Sequence, residues 1–208
     1  MIQPINKGQA MPVVKQVTYY SFDELSEQAQ QRVMDKVRED CGELFETDEE
    51  FILEDYKERN PHIHNMDICY SGFHSQGDGA SFTGYLDSDW AIEYLKKRIG
   101  TSEVECLRFI GVSFERVNHF YVHENSVNTE LCDSVDWATH IEENETLSRS
   151  LNSKIQGYVG ALDEYRRDLC NEIYDSLHLA YEYCISDENV IELILSNDFL
   201  FDIDGNFE

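Results

Sequence analysis

The segment that decides the fold runs from His62 to Leu86 and reads HIHNMDICY, SGFHSQGDGA and SFTGYL in succession. Its first part, His62–Tyr70, has the composition of a strand, and its last part, Ser81–Leu86, predicts a returning strand. Between them, Ser71–Ala80 is a glycine-rich turn, longer than the tight connections that most hairpins use. The sequence therefore predicts an antiparallel β-hairpin with a long, specialised connection.

Two helical signals precede this hairpin. Ser21-Phe22-Asp23-Glu24 is a capping box, in which the serine and the glutamate satisfy backbone amides at a helix start. It predicts a helix to about Asp40, because Cys41-Gly42 has the character of a helix end. A second capping box, Thr47-Asp48-Glu49-Glu50, predicts a separate helix that ends near Arg59.

The rest of the chain continues the alternation of strands and helices. With 208 residues, 41% of them apolar and 12% aromatic, the chain is long enough to bury a sizeable core. We expect an α+β fold, in which helices cover an antiparallel sheet of about four or more strands, as one domain over residues 13–208 after a loose segment, 1–12. The further predicted elements are a strand at Val13–Tyr20, a helix at Asp89–Ile99 capped by Ser88 and stopped by Gly100, β-structure over Phe109–Glu124 and from Val127 to Trp137, a long C-terminal helix from Thr146 to about Tyr183, a short helix at Asp187–Ser196, and a closing strand with an Asp204-Gly205 turn.

Charge sets the strongest limit on function. Asp and Glu total 42 against 16 Lys and Arg, which gives a net charge of −26. A field of this sign repels phosphate backbones and anionic lipid head groups, and it attracts basic protein surfaces. We therefore expect no direct nucleic-acid binding and no membrane binding. The simpler explanation of the charge is solubility, although self-repulsion of this size costs stability.

Cysteine and histidine spacing predicts neither disulfides nor a metal site. Six dispersed cysteines form no C-x-x-C pair. The N-terminal residues predict neither a signal peptide nor a membrane span, so we expect reduced thiols in a cytoplasm. His62 and His64 share a strand face, as do His119 and His123, yet zinc needs three or four converging ligands. We predict no metal and no cofactor, and packing or exposed roles for these histidines.

The glycine-rich turn is the first candidate site. It lacks the Gly-Lys-Ser/Thr ending of a P-loop and the glycine spacing of a dinucleotide-binding fingerprint. Its amides suit an anion or a partner contact, and the alternative is a structural loop whose own Asp78 and Ser75 satisfy the backbone. The loop also contains the residue types of a Ser-His-Asp triad, but residues so close in sequence seldom converge as nucleophile, base and orienting acid. We therefore predict no catalytic residues and favour a protein that is not an enzyme. The loop residues that we expect to make contacts are Phe73, His74, Ser75, Gln76 and Asp78.

A row of glutamates is the second candidate site. Residues four apart on a helix share a face, with about 6 Å of rise between them, and like charges so placed repel each other. Such a row resembles the charges of a phosphate backbone. The simpler interpretation is a solvated face opposite Phe51, Ile52 and Tyr56. The partner-binding residues that we predict are Glu46, Glu50, Glu54 and Glu58, together with a second cluster at Glu142 and Glu143.

Two segments carry a resemblance to a known group of proteins. Tyr19–Val33 reads YYSFDELSEQAQQRV, and Cys69–Phe82 reads CYSGFHSQGDGASF. The chain resembles a group of largely uncharacterised bacteriophage and prophage proteins with a tyrosine, then F-D-E-L-S and a helix, and a G-F-x-S-Q-G-D-G-A-S-F loop. The closing FLFDIDGNFE is similar to that group's last strand, whereas His74 stands where the group usually has an aromatic residue, often tryptophan. The resemblance implies a phage-borne accessory protein in the cytoplasm of a bacterial host.

Three functional hypotheses follow. The first is an inhibitor of a host defence or nucleic-acid-handling protein, of the anti-CRISPR or anti-restriction type, whose carboxylates occupy a basic groove in the manner of DNA. The second is a small enzyme or nucleotide-binding protein that uses the Ser71–Ala80 loop. The third is a structural or regulatory phage protein. An exposed strand edge at the C-terminus would also favour a homodimer.

Overall fold

The computed structural model describes residues 17–100, 104, 111–117, 121–132 and 145–207, with the side chains of 42–44 and 145–152 excluded. The described chain is an α+β fold with a four-stranded antiparallel sheet, as predicted. The predicted long C-terminal helix is also confirmed. The elements are α1 (Glu27–Arg59), β1 (Ile63–Tyr70), β2 (Ala80–Leu86), α2 (Ser88–Ile99), β3 (Gly111–Arg116), β4 (Val127–Cys132), α3 (Glu145–Cys184) and α4 (Asp187–Ser196), with short 3-10 helices at Phe22–Glu24 and Glu124–Ser126.

The chain divides into two compact units. The sheet unit spans Glu43–Tyr183, and the terminal unit combines the described parts of Met1–Gly42 and Cys184–Glu208. The assignment of residues 13–208 to one domain stays a prediction. Residues 1–12, the second part of the β-structure predicted over Val127–Trp137, and the acidic pair Glu142 and Glu143 lie outside the described residues.

The sheet is a simple meander in the order β1-β2-β3-β4, with every neighbouring pair antiparallel. The hairpin β1–β2 pairs Ile68 with Phe82, and its register shifts between His64 and Asp67. Gly84 lies against this irregularity, since a Cβ there would stand 2.9 Å from the carbonyl oxygen of His64. The close backbone approach explains why a strand interior carries glycine at this position.

The core of the sheet unit joins the sheet to α2 and α3. Phe82 of β2 and Phe114 of β3 are buried and meet edge to face, with their ring centroids 5.2 Å apart. Asp87, rather than the predicted Ser88, caps α2 by accepting from the amide of Trp90 at 2.8 Å, and the predicted Gly100 ends that helix. The buried helical residues of this unit include Ala91, Ile92, Leu95, Leu162, Leu169, Ile173 and Leu177.

The prediction of two helices before the hairpin was wrong, because α1 is continuous through Gly42. The first capping box does form, with the Ser21 amide bonded to the Glu24 carboxylate at 2.9 Å, but it closes only a 3-10 turn. Cys41 and Phe45, on either side of Gly42, are both buried. An interior glycine costs a helix about 1 kcal/mol relative to alanine, and the burial of Cys41 and Phe45 on either side outweighs it. Thr47 therefore lies within a helix and caps nothing.

Within the described residues, the segments predicted as the two terminal strands make only isolated bridges, and residues 13–16 of the first lie outside those residues. In the described part, Val17–Tyr19 has no regular structure, and Tyr20 makes only an isolated bridge to Phe201. Phe201 also bridges to Phe207, across a turn in which the amide of Gly205 bonds to the carbonyl of Asp202 at 3.0 Å. The turn predicted at Asp204-Gly205 is thus present without its strand. The described residues therefore contain no C-terminal strand edge of the kind that was expected to favour a homodimer.

Candidate partner-binding surface

The predicted glutamate row lies on the second half of α1, within the sheet unit. Glu46, Glu50, Glu54 and Glu58 are all exposed, and continuous helix separates each from the next by about 6 Å of rise. Lys57 Nζ lies 3.6 Å from the Glu54 carboxylate, an exposed contact of the kind that contributes little to stability. The residues 43–59 carry eight carboxylates against two cations. The structure therefore presents the row as a solvent-facing acidic surface.

Phe51 belongs to this acidic surface, contrary to the expectation that it faces the core. Its exposed fraction is 75%, whereas Tyr56 is 2% exposed and Ile52 is half-buried. The reason is helical geometry. Phe51 and Tyr56 are five residues apart, which corresponds to one full turn plus about 140°, so the two side chains lie on different faces of the helix. A shallow surface depression surrounds it, lined by Thr47, Glu50, Phe51, Leu53, Glu54 and Lys57.

The opposite side of this helix is held firmly. The hydroxyl of Tyr56 donates to the carbonyl oxygen of Glu172 at 3.0 Å and lies 2.8 Å from Ser176 Oγ. Tyr70 of β1 donates to the Glu49 carboxylate at 2.8 Å, and burial together with this bond raises the pKa of the Tyr70 phenol. Contacts from both α3 and the sheet thus orient the acidic surface.

The glycine-rich turn is also packed, through Phe73. The ring of Phe73 is half-buried, and its centroid lies 4.9 Å from that of Tyr181 and 5.4 Å from that of His178. Aromatic pairs at these separations stabilise a fold beyond the apolar area that they bury. Phe73 therefore anchors the turn, and the rings that surround it are Phe45, Tyr70, Tyr174, His178 and Tyr181.

Asp78 closes the turn by accepting hydrogen bonds from two of its backbone amides. One carboxylate oxygen of Asp78 accepts from the amide of His74 at 2.9 Å and from the amide of Ser75 at 2.6 Å. The His74 ring instead faces the hydroxyl of Tyr181, 3.2 Å away, so Ser75, His74 and Asp78 form no triad. His74, Ser75 and Gln76 remain exposed. The amides of His74 and Ser75 are thus satisfied by the chain's own carboxylate.

A cleft between the C-terminal end of α1 and α3 escaped sequence reasoning. It has a volume of about 250 Å³ and is lined by Tyr56, Arg59, Asn60, Tyr165, Asp168, Leu169 and Glu172. Behind it, His62 stacks on Trp90 with ring centroids 3.9 Å apart and shares a 2.7 Å hydrogen bond with the Tyr165 hydroxyl. Burial lowers the pKa of His62 and raises that of Tyr165. No local motif marks this cleft, because its residues come from distant segments.

The sheet unit also contains a buried charge. Arg166 of α3 has a side chain that is only 1% exposed, and it donates to Asp163 at 2.8 and 3.1 Å and to the carbonyl of Glu124. Asp163 accepts in addition from Thr129 Oγ1 at 3.0 Å. Burial alone would raise the pKa of Asp163, but its bonds to Arg166 and Thr129 lower it overall. This network ties α3 to β4 and is structural.

The described part of the chain has neither a metal-binding cluster nor a membrane-spanning helix. Among the described residues, no group of three histidine, cysteine or acidic side chains is arranged to hold a metal ion. The five cysteines in the described ranges form no disulfide with one another, and His119 lies outside those ranges. None of the helices that the structure describes combines the length and apolar character that a bilayer crossing requires.

Comparison with known proteins assigns a family. The sequence pattern of a domain of unknown function, DUF8835, matches residues 31–187. The chain belongs to the DUF8835 family. No curated protein and no solved structure matches it. The DUF8835 region takes in the glutamate row, the glycine-rich turn and the cleft, and it ends at the start of α4.

Proposed function

We propose that this protein is a phage-borne inhibitor that binds a basic surface of a host nucleic-acid-handling protein, as anti-CRISPR and anti-restriction proteins do. The observation that carries the proposal is the exposed row Glu46, Glu50, Glu54 and Glu58 on a firmly held helix. Carboxylates in such a row attract Lys and Arg side chains that otherwise hold phosphates.

Charge spacing indicates that electrostatic mimicry is only part of the contact. The row carries one carboxylate per about 6 Å of helix, whereas one strand of DNA carries one phosphate per about 3.4 Å of axis. A single row is therefore about half as densely charged as one DNA strand. It attracts and orients a basic partner, but it needs another source of affinity to displace nucleic acid.

Phe51 supplies such a source. A large aromatic side chain that is 75% exposed inside an acidic surface has the character of an interface anchor, because aromatic residues near the centre of an interface carry much of its binding energy. The complex that we propose seats Phe51 in an apolar pocket of the partner, with the glutamates pairing to the basic rim around it.

The ligand-binding alternative has weaker support. Its site would be the Ser71–Ala80 loop, and the amides that suit an anion there already bind Asp78. The surrounding charge of −26 also disfavours a nucleotide. The exposed His74, Ser75 and Gln76 fit better as an additional contact with a protein partner.

The test is affinity capture from bacterial lysate with matched charge reversals. The wild type and Glu50→Lys/Glu54→Lys are compared with Glu188→Lys/Glu192→Lys, which makes the same charge change on two exposed residues of α4. We expect the wild type and the α4 variant to capture the same nucleic-acid-binding protein, and added duplex DNA to displace that protein from both. The affinity of the α1 variant for the same protein should be lower by at least about tenfold, or ~1.4 kcal/mol. Equal capture by all three proteins, or a captured protein that DNA does not displace, would refute the proposal.

A further inference from the structure

The cleft of about 250 Å³ beside α3 has walls that are fixed in place. Tyr56 is held by Glu172 and Ser176, as described above. The hydroxyl of Tyr165 bonds to His62 at 2.7 Å and to Asn60 Oδ1 at 3.3 Å. Because Tyr56 is only 2% exposed, the half-buried Tyr165, whose hydroxyl is engaged, supplies most of the aromatic surface that the cleft offers.

The lining of the cleft contains two acidic side chains, Asp168 and Glu172, and one basic side chain, Arg59. Asp168 and Glu172 are exposed and lie four residues apart on α3, so they share a side of that helix. Within the described residues, no cationic group is paired with either carboxylate at 4 Å or less. The cleft therefore combines the aromatic ring of Tyr165 with two carboxylates that have no cation within 4 Å among the described residues.

The chain itself indicates which group this cleft accepts. The guanidinium carbon of Arg59 lies 4.3 Å from the centroid of the Tyr56 ring, a cation–π contact, while its Nε pairs with Asp55 at 2.8 Å. Arg59 thus covers the Tyr56 ring and is neutralised by its own helix. The Glu172 carboxylate accepts a 3.4 Å hydrogen bond from the Tyr56 hydroxyl, and among the described residues neither Glu172 nor Asp168 has a cation within 4 Å. A second guanidinium would meet an aromatic surface and a pair of acceptors.

We propose that this cleft is an arginine-binding pocket, which receives an arginine side chain of the basic partner protein. The inference rests on the proposed function and names a specificity site for it. A planar guanidinium stacks on aromatic rings and forms two parallel hydrogen bonds to a carboxylate, which a lysine ammonium does not do. The volume of the cleft fits an amino-acid side chain better than a nucleotide, since pockets for drug-sized molecules occupy about 300–1,000 Å³.

The test uses N-acetyl-arginine amide and N-acetyl-lysine amide as probes of the full chain, followed by ¹H–¹⁵N NMR. We expect saturable shifts at Arg59, Asn60 and Leu169 with arginine amide, and binding of lysine amide that is weaker by about tenfold. Asp168→Asn/Glu172→Gln should abolish the arginine shifts, whereas Asp175→Asn, an exposed carboxylate on the same helix, should preserve them.

The outcomes separate this inference from the proposed function. The pocket would be refuted by equal shifts with both amides, by shifts away from the cleft, or by full arginine binding of the Asp168→Asn/Glu172→Gln variant. This holds even if charge reversal in the α1 row still abolishes partner capture. Arginine-selective shifts together with unchanged capture after that reversal would support the pocket and refute the inhibitor proposal. Thermal unfolding of each variant establishes that it is folded.

Discussion

The buried Arg166–Asp163 pair gives the sharpest prediction about stability. Asp163→Ala removes the acceptor of two Arg166 hydrogen bonds and leaves a guanidinium that is 1% exposed without its counterion. Breaking a buried ion pair from one side costs about 3–5 kcal/mol. Asp163 is 21% exposed, so water relieves part of this cost, and we expect about 3 kcal/mol.

Urea and thermal unfolding measure this cost. For a chain of this size, each kcal/mol lowers the melting temperature by about 2–4 °C, so Asp163→Ala should lower it by about 6–12 °C. Asp175→Ala, an exposed acid on the same helix, should change the unfolding free energy by less than about 0.5 kcal/mol. The double variant Asp163→Ala/Arg166→Met removes the orphaned charge and should recover part of the loss.

The same pair has a signature in acid. Because the folded-state pKa of Asp163 is lowered, its stabilisation is complete above the unfolded pKa of about 3.9 and is lost as the pH falls through the folded pKa. Asp163→Ala should therefore flatten the dependence of unfolding free energy on pH below about 4. A loss of less than about 1 kcal/mol at neutral pH, or an unchanged acid slope, would refute the reasoning.

Three further predictions follow from contacts in the sheet unit. Gly84→Ala places a Cβ 2.9 Å from the His64 carbonyl oxygen and should cost about 1–3 kcal/mol in urea unfolding, and a neutral result would contradict the register irregularity. Phe73→Ala should cost about 3–5 kcal/mol because it empties the centre of an aromatic cluster, whereas Phe51→Ala should cost less than about 0.5 kcal/mol of stability and act only on partner binding. Burial lowers the folded-state pKa of His62, although Asp87 opposes this shift. The stability that His62 contributes is therefore complete above pH ~6.5 and declines as the pH falls below that value. His62→Gln should reduce the difference between the urea midpoints at pH 5.5 and pH 7.5, and an unchanged difference would contradict this prediction.

Several features were predictable because their causes are local. The hairpin β1–β2 was visible in strand-forming residues on either side of a glycine-rich turn, and the long helix α3 in apolar residues at helical spacing. Gly100 and Gly205 both adopt positive φ, at 75° and 80°, where their turns were predicted. The acidic row was also predictable as a spacing, since residues four apart on any helix share a face.

The errors came from positions where packing overrides a local signal. Gly42 and the Thr47 capping box predict a break, but side chains buried on both sides of Gly42 keep α1 continuous. The described β-forming residues near the termini make only isolated bridges, because a strand needs an extended neighbour that the sequence does not reveal.

The sequence by itself determined the fold class, the meander's first hairpin and the acidic character of the surface, because these depend on residue type and spacing alone. Only the tertiary structure decided that Phe51 faces solvent, that Asp78 fills the amides of its own turn, and that Tyr56, Tyr165, Asp168 and Glu172 line one cleft. These outcomes depend on which helix face is buried and on contacts between residues as far as 116 positions apart, such as Tyr56 with Glu172. Burial and long-range contact are properties of the packed chain, and no local pattern encodes them.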